Sequence, residues 1–535
     1  MSAVQQIDAI IVGAGFSGMY QLLSLRDKLG LCAKVLEAGD GVGGTWYWNR
    51  YPGARCDSES HSYMFYFSKE LVHEWEWSER YPQQPEILRY LNYVADKFKL
   101  RPDISLNTRM QTAKYDDATN RWLVTTDRGD QYSAKYLITG VGCLSSANLP
   151  KIEGLSDFKG KWYHTGQWPH EGVDFKGKRV AVIGTGSTGI QAIPVIAEQA
   201  SHLTVFQRTA NFSLPARHHP LSDEFKQYAK EHAEDIYKIM TTNTNGHPFA
   251  IVDRSALEVS DQEREAIFEE QWKMGGFQFR AAFNDILTSQ EANDTAAEFI
   301  RKKIREIVRN PKTAELLADI DHPFAAKRPP IDADYFETYN RDNVELISIR
   351  ETPIERITPK GIKTSDREYE FDIIVFATGF DAMTGSLLKM DITGRNKRSL
   401  KDYWNAGPRT YLGLQVPGFP NMFTITGPGS PSVLCNMPPA IEQHVNWITD
   451  CIRHMQEKGL ERVETTEQAS DYWQQQVDDA ANATLLPKVK HSWYLGANVP
   501  GKPQVFMPYA GGLARYREIC NEMVAKDYQG FEFSH

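Results

Sequence analysis

The chain has 535 residues, 41% of them hydrophobic and 24% charged, with a formal net charge of −9. This length predicts several domains, and the acidic balance argues against nucleic acid as the main partner. No apolar run reaches the roughly 18 residues that a membrane span needs, and no secretory signal is evident, so we expect a cytoplasmic protein without a membrane partner. Six scattered cysteines without a close pair are interpreted as free thiols, which excludes a disulfide-reductase site.

The N-terminal segment predicts a strand, a glycine-rich turn, a helix and a second strand. An apolar run at 9–12 leads into Gly13-Ala14-Gly15-Phe16-Ser17-Gly18, and Glu37 follows 19 residues after Gly18. The glycines allow a tight turn and let a pyrophosphate approach the helix N-terminus. A carboxylate at the Glu37 position accepts a hydrogen bond from a free ribose 2′-hydroxyl. This unit therefore predicts a site for FAD or NAD.

A second unit of the same kind follows further along the chain. Gly184-Thr185-Gly186-Ser187-Thr188-Gly189 comes after the apolar run 180–183, and Arg208 follows 19 residues after Gly189. An arginine at this point favours a 2′-phosphate, which distinguishes NADP from NAD. A chain that binds both kinds of dinucleotide is most simply a flavoenzyme that NADPH reduces.

The pattern of elements predicts an α/β fold with two Rossmann-like dinucleotide-binding domains and a helical insertion. We expect an FAD-binding domain at 1–149 and 379–535, an NADP-binding domain at 150–213 and 332–378, and a helical insertion at 214–331, where long polar, helix-favouring stretches occur.

Several later elements follow from local patterns. Apolar runs at 344–347 and 371–376 predict the closing strands of the second domain. A helix is predicted to begin at Pro431-Ser432, and the same segment is expected to return to the first domain. Its apolar face is predicted to contain Ile441, Val445, Ile448 and Ile452. The basic run Arg301, Lys302, Lys303 and Arg305 is interpreted as a solvated helix face.

Two long patterns show that the chain resembles the Baeyer–Villiger monooxygenases. Residues 158–169 match F-x-G-x-x-x-H-x-x-x-W-P at every defined position, and residues 43–57 match G-G-x-W-x4-Y-P-G-x3-D. Segments at 46–57, 407–414 and 492–503 are most similar to the phenylacetone monooxygenase branch of that family.

The resemblance implies FAD, NADPH and O2 as reactants and a small apolar ketone as substrate. One oxygen atom would be inserted next to the carbonyl, through a C4a-peroxyflavin and a Criegee-type intermediate, to give an ester or lactone. Thioether sulfoxidation would be a side activity. No metal is expected, and the protein is expected to be a monomer.

The resemblance also assigns residues. Arg328 matches the catalytic arginine that stabilises anionic oxygen, and Asp57 matches the carboxylate that positions it; the residues alone would equally fit a structural ion pair between domains. The cofactor-binding residues implied are Gly13, Gly15, Phe16, Ser17, Gly18, Glu37, Gly44, Thr45, Trp46, Asp57, Tyr63, Met437, Gly184, Thr185, Gly186, Ser187, Thr188, Gly189, Arg208, Thr209, Lys327, Arg328 and Trp493. The substrate-contacting residues implied are Cys143, Leu144, Ser432, Val433 and Leu434.

Two departures make transfer of a particular substrate unsafe. Cys143 stands where phenylacetone monooxygenase has a glutamine, and Met437-Pro438-Pro439 contains two prolines that it lacks. His164 and Trp168 are interpreted as hinge or linker-packing residues. Two rival functions remain open: a flavin N- or S-oxygenase of the same superfamily, and a non-catalytic NADP(H)-sensing module.

Overall fold

The structure is a computed structural model that describes residues 4–535. The strands are β1 (Gln5–Val12), β2 (Ala33–Leu36), β3 (Ile104–Ser105), β4 (Met110–Asp116), β5 (Arg121–Thr126), β6 (Gln131–Thr139), β7 (Lys161–His164), β8 (Arg179–Ile183), β9 (His202–Gln207), β10 (Leu214–Pro215), β11 (Ile331–Asp332), β12 (Val344–Ser348), β13 (Ile354–Ile357), β14 (Gly361–Thr364), β15 (Glu368–Glu370), β16 (Ile373–Phe376), β17 (Asp391–Thr393), β18 (Met422–Thr424), β19 (Arg462–Thr465) and β20 (Phe531–Ser534).

The α-helices are α1 (Phe16–Leu23), α2 (Thr45–Trp48), α3 (Lys69–Glu74), α4 (Gln84–Lys97), α5 (Ser187–Gln199), α6 (Asp223–Glu231), α7 (Ala233–Thr242), α8 (Asp261–Met274), α9 (Gln290–Ile307), α10 (Pro311–Ala318), α11 (Tyr335–Thr338), α12 (Gly385–Leu388), α13 (Leu400–Tyr403), α14 (Met437–Lys458), α15 (Glu467–Asn482) and α16 (Leu513–Ala525). Within residues 4–535, no helix combines the length and hydrophobicity needed to span a bilayer.

The larger sheet has eight strands in the order β17-β4-β5-β6-β1-β2-β3, with β18 also pairing with β6. β1 runs parallel to both β6 and β2, so the first predicted strand–turn–helix–strand unit is confirmed. All eight residues of α1 are buried, because the helix packs between this sheet and α14. β17 and β18 pair in parallel with β4 and β6, which brings the C-terminal part of the chain back onto the first sheet.

The second sheet contains five parallel strands in the order β12-β9-β8-β16-β7. The two predicted closing strands are confirmed, because β12 pairs with β9 and β16 pairs with β8 and β7. All four residues of β16 are buried, as expected for a central strand of a parallel sheet that is covered on both faces.

The segment between the two halves of this sheet is mainly helical. The first polar stretch divides at His232 into α6 and α7, and α8 and α9 follow. Ser222, Ser260 and Ser289 cap three of these helices, since each side-chain oxygen accepts a backbone N–H of the first turn. The basic face of α9 forms partly exposed ion pairs with α8 and α10, in agreement with a solvated surface.

The helix predicted from Pro431 begins instead at Met437, so that boundary was wrong. Ser432–Leu434 form one 3₁₀ turn, and Cys435 is extended. Ser432 has φ +43°, which an α-helix cannot contain. The predicted apolar face of α14 is nevertheless buried, including Ile441, Val445, Ile448 and Ile452. The 3₁₀ turn leaves the backbone carbonyl of Val433 free to accept a hydrogen bond from Arg328.

Candidate active site and nucleotide sites

Arg328 and Asp57 form a two-pronged ion pair, although 271 residues separate them in the chain. Arg328 Nε donates to Asp57 Oδ2 over 2.6 Å, and Nη2 donates to Oδ1 over 2.7 Å. Nη1 donates to the carbonyl of Val433 over 2.8 Å, and the guanidinium carbon lies 5.0 Å from the centre of the Phe277 ring. The insertion, the first nucleotide unit and the C-terminal segment thus fix one cation together.

Both members of this pair are charged. Burial alone opposes charge on either group, but the opposite charge and the hydrogen bonds outweigh it, so the pKa of Arg328 is raised and that of Asp57 is lowered. His247 lies beside the pair, and burial together with the Arg328 charge lowers the pKa of its imidazole to about 3. His247 is therefore neutral at neutral pH.

The first glycine turn is too tightly packed for other side chains. A Cβ on Gly13, which has φ +99°, would lie 2.7 Å from the carbonyl oxygen of Gly140, and one on Gly18 would lie 1.8 Å from that of Gly13. The Glu37 carboxylate lies across the turn and accepts hydrogen bonds from the amides of Ala14 and Gly39, both at 2.7 Å. The arrangement fits a ribose held at Glu37 and a pyrophosphate at the start of α1.

Aromatic side chains line the space next to this turn. Trp46 Nε1 donates to the hydroxyl of Tyr63 over 3.2 Å, and the rings of Tyr63 and Phe16 meet edge to face at 5.4 Å. Thr45 begins α2 directly after Gly44, which has φ +54° and approaches Gly15. Ser17 is buried in the first turn of α1. These surroundings suit a flat ring system.

The second glycine turn repeats the packing of the first but leaves one position open. A Cβ on Gly184 would lie 2.4 Å from the carbonyl oxygen of Ala377, and one on Gly189 would lie 2.2 Å from that of Gly184. A Cβ on Gly186 would meet nothing within 4 Å. Gly186 and Ser187 are exposed and Thr188 is half-buried at the start of α5, while Thr185 Oγ1 donates to the carbonyl of Thr209 over 2.9 Å.

A group of three cations lies beside this second turn: Arg208, Lys327 and Arg350. Burial and repulsion from the two arginines lower the pKa of Lys327, although Asp321 acts in the opposite direction. Arg350 Nη2 donates to Thr209 Oγ1 over 3.2 Å and also pairs with Asp321. Such a group fits a 2′-phosphate. Arg350 was not predicted from the sequence. It could have been found from the pairing of β12 with β9, because the residues that follow two parallel neighbouring strands meet at the same edge of the sheet.

An apolar cluster brings together the residues expected near the substrate. Buried Cys143 and Val433 pack with Tyr494 and Phe506, and half-buried side chains complete the cluster. Those side chains include Leu144, Leu434, Met437 and Trp493. Ser432 is buried beneath them, with its hydroxyl 3.8 Å from the sulfur of Met383. Burial raises the pKa of the Cys143 thiol to about 11, so it is uncharged at neutral pH.

The two signature residues of the linker pack rather than face the ion pair. Trp168 is buried against Phe175, with ring centres 6.2 Å apart. His164 ends β7, and its Nδ1 accepts the amide of Gly166 over 3.0 Å. Their surroundings agree with a role in the connection between the two nucleotide units.

Two glycine turns with residues of opposite charge after their second strands are typical of a flavoprotein that uses a pyridine nucleotide. A family model described as pyridine nucleotide-disulphide oxidoreductase matches residues 10–299. The chain is similar to cyclohexanone 1,2-monooxygenase of Acinetobacter sp., with 43% identity over 99% of this chain and 97% of the relative. It is 45% identical to a Baeyer–Villiger monooxygenase of Pseudooceanicola batsensis, covering 97% and 95%.

A further relative and two solved structures are also similar to this chain. Phenazine N-monooxygenase PhzNO1 of Lysobacter antibioticus is 43% identical, covering 98% of this chain and 96% of the relative. The solved structure of an oxidized steroid monooxygenase bound to NADP superposes with a TM-score of 0.95, 50% identity, and coverage of 99% and 100%. A closed cyclohexanone monooxygenase gives a TM-score of 0.97 with 43% identity, covering 99% and 100%.

The chain belongs to the Baeyer–Villiger monooxygenases, FAD-containing oxidoreductases that use NADPH to oxidise ketones to esters or lactones. The expected α/β fold, both cofactors and the enzyme class are thereby confirmed. The closer similarity to phenylacetone monooxygenase stays a prediction, as do the roles of individual site residues.

Proposed function

We propose that this chain uses NADPH and O2 to insert one oxygen atom next to the carbonyl of a small apolar ketone, with Arg328 holding the negative charge of the reacting oxygen. The observation that carries this proposal is the Arg328–Asp57 pair, fixed also to the Val433 carbonyl. Bound FAD, reduced by NADPH, would supply the electrons that activate O2. The chain's own residues are proposed to bind the substrate, orient it and stabilise the negative charge.

Arg328 is suited to this role by its charge and by its free donors. A guanidinium has five N–H groups, and three of them are engaged with Asp57 and Val433. One N–H on Nη1 and one on Nη2 remain for an oxygen of the substrate or of the attacking group. Because Asp57 accepts two of the engaged donors, it fixes the plane of the guanidinium without removing its proton.

The cofactors are assigned to the two glycine turns. We propose that residues 1–149 and 379–535 hold FAD, residues 150–213 and 332–378 hold NADPH, and residues 214–331 form an insertion that contributes Lys327 and Arg328. Support comes from Glu37 at the first turn and from the cations Arg208, Lys327 and Arg350 at the second. Arg350 is an addition to the residues predicted from the sequence.

The substrate is proposed to lie against Cys143, Leu144, Val433 and Leu434, which form part of one apolar cluster. Thioether sulfoxidation is proposed as a side activity. N-oxidation is a second candidate, since PhzNO1, named a phenazine N-monooxygenase, is as similar to this chain as the cyclohexanone enzyme. We further propose a monomer in a reducing, cytoplasmic compartment, which suits six free thiols.

The test is to follow NADPH oxidation by the purified holoenzyme under air with phenylacetone, and separately with phenazine, and to analyse the products by mass. Benzyl acetate, one oxygen heavier than phenylacetone, is the expected product. A phenazine N-oxide without any ester would contradict the proposal and favour N-oxidation. NADPH consumption that yields only hydrogen peroxide with every ketone of a panel would also contradict it.

A further inference from the structure

Arg280 lies on a 3₁₀ helix, Gly276–Ala282, that packs against the Arg328–Asp57 pair. Residues three apart lie on the same side of a 3₁₀ helix, so Phe277 and Arg280 leave it in the same direction. The Phe277 ring is the one that lies 5.0 Å from the Arg328 guanidinium, and it also packs against His247 at 5.3 Å. Arg280 therefore projects toward the catalytic pair.

The charge of Arg280 is not balanced by any side chain. Throughout residues 4–535, no carboxylate forms an ion pair with Arg280, and its guanidinium makes no hydrogen bond to the protein. The charged or titratable groups near it are Arg328, Tyr494 and His247. Arg328 is already neutralised by Asp57, and His247 is uncharged, so this part of the site has an excess of one positive charge.

An unbalanced cation in such surroundings is costly and is a frequent mark of a binding site. Burial lowers the pKa of Arg280 to about 10, which still leaves it charged at neutral pH. Tyr494 lies near both arginines, and burial raises the pKa of its hydroxyl to about 12, so this hydroxyl remains a hydrogen-bond donor. Tyr494 belongs to the apolar cluster that contains Val433 and Leu434, and Arg280 is close enough to Tyr494 to interact with it electrostatically.

We propose that Arg280 binds a carboxylate on the ketone substrate, with the Tyr494 hydroxyl as a second donor, so that the enzyme prefers oxo acids with an apolar chain between the two ends. This inference rests on the proposed function and changes its substrate class, from wholly apolar ketones to ketones whose far end is a carboxylate. A planar guanidinium can receive both carboxylate oxygens at once, which a lysine cannot do. The apolar chain of the oxo acid would lie along the apolar cluster.

The test compares two ketones that differ only at their far end: octan-2-one, which ends in a methyl group, and 7-oxooctanoate, which ends in a carboxylate. Wild type should show the higher kcat/KM for 7-oxooctanoate. In Arg280→Met, the ratio of the two kcat/KM values should fall about 10- to 100-fold, the range expected for hydrogen bonds to a charged group. Arg280→Lys should keep part of the preference, and Arg309→Gln, at an exposed site of the insertion, should keep all of it.

Several results would overturn the proposal. An unchanged ratio in Arg280→Met would do so, and so would a raised KM for NADPH with the ratio preserved, because Arg280 would then contact the cofactor. Flavin content and thermal unfolding of each variant show whether it is folded. If wild type oxygenates phenylacetone but neither of these two ketones, the carboxylate preference fails while the proposed function stands. If it oxygenates none of the three, the proposed function fails; protection against thermal unfolding by 7-oxooctanoate in wild type but not in Arg280→Met would still support the carboxylate site.

Discussion

The open position at Gly186 gives a sharp test of the second nucleotide site. Gly186 has φ −82° and ψ −170°, which alanine adopts freely, and its added Cβ would meet nothing within 4 Å. Gly186→Ala should therefore leave stability unchanged or raise it by about 0.4–1 kcal/mol, because alanine restricts the unfolded chain. A bound pyrophosphate, however, would have to approach the backbone where the methyl group now lies.

The expected loss is in NADPH affinity. If the methyl group breaks one or two charge-assisted hydrogen bonds from the turn, at about 1.5–3 kcal/mol for one, the dissociation constant for NADPH should rise at least about 10-fold. Anaerobic stopped-flow measurement of flavin reduction against NADPH concentration gives this constant. Gly189→Ala is the matched control, since its Cβ would lie 2.2 Å from a backbone oxygen and should destabilise the fold itself. Unchanged NADPH affinity in a folded Gly186→Ala would refute the assignment of this turn.

Three other predictions address charge. Arg328→Ala should still be reduced by NADPH in stopped flow but lose about 100- to 1000-fold or more in ester formation, since a preorganised donor is gone; normal turnover would disprove its role. Arg208→Ala should raise KM for NADPH far more than for NADH, and an equal rise for both would mean that Arg208 does not contact the 2′-phosphate. Burial lowers the pKa of His247 and His444 to about 3, whereas a histidine in the unfolded chain takes up its proton near pH 6.5. Between these two pH values, each histidine therefore lowers the free energy of unfolding by about 1.4 kcal/mol per pH unit on acidification. Burial raises the pKa of Glu442 to about 7, so protonation of this carboxyl stabilises the folded state on acidification down to about pH 4.5 and opposes the effect of the two histidines. The unfolding temperature should therefore fall most steeply below pH 4.5, and His444→Gln should make that fall shallower.

The two glycine turns were predictable because their cause is local. A backbone oxygen lies less than 3 Å from where a Cβ would be at Gly13, Gly18, Gly184 and Gly189, and no other residue satisfies that geometry. The strands before each turn are mainly buried, and their apolar residues are visible in the local sequence as short uninterrupted runs. The start of α14 was not predictable in this way, because the positive φ of Ser432 belongs to the turn that presents the Val433 carbonyl to Arg328. Proline and serine there favour a helix start, and the tertiary contact overrides them.

Contacts between distant segments needed either the family resemblance or the structure. Nothing in the local sequence links Asp57 to Arg328, and only the resemblance paired them. Arg350 and Arg280 had no motif at all. Arg350 can be assigned to the second glycine turn only when β12 is known to lie beside β9. Arg280 can be placed near the ion pair only when the Phe277 ring of its 3₁₀ helix is known to pack on Arg328.

The position of the Arg328 guanidinium depends on three separately encoded segments, and this has a consequence for catalysis. Asp57 comes from the first nucleotide unit, Arg328 from the end of the insertion, and the Val433 carbonyl from the turn before α14. A shift of any one segment would break a hydrogen bond and leave a half-buried charge less compensated, which costs free energy. The cation is therefore held in place only when all three segments are docked, and we propose that its two free N–H donors can reach the reacting oxygen only then. On this proposal, the ion pair makes the group that would stabilise anionic oxygen available only once the three segments have assembled.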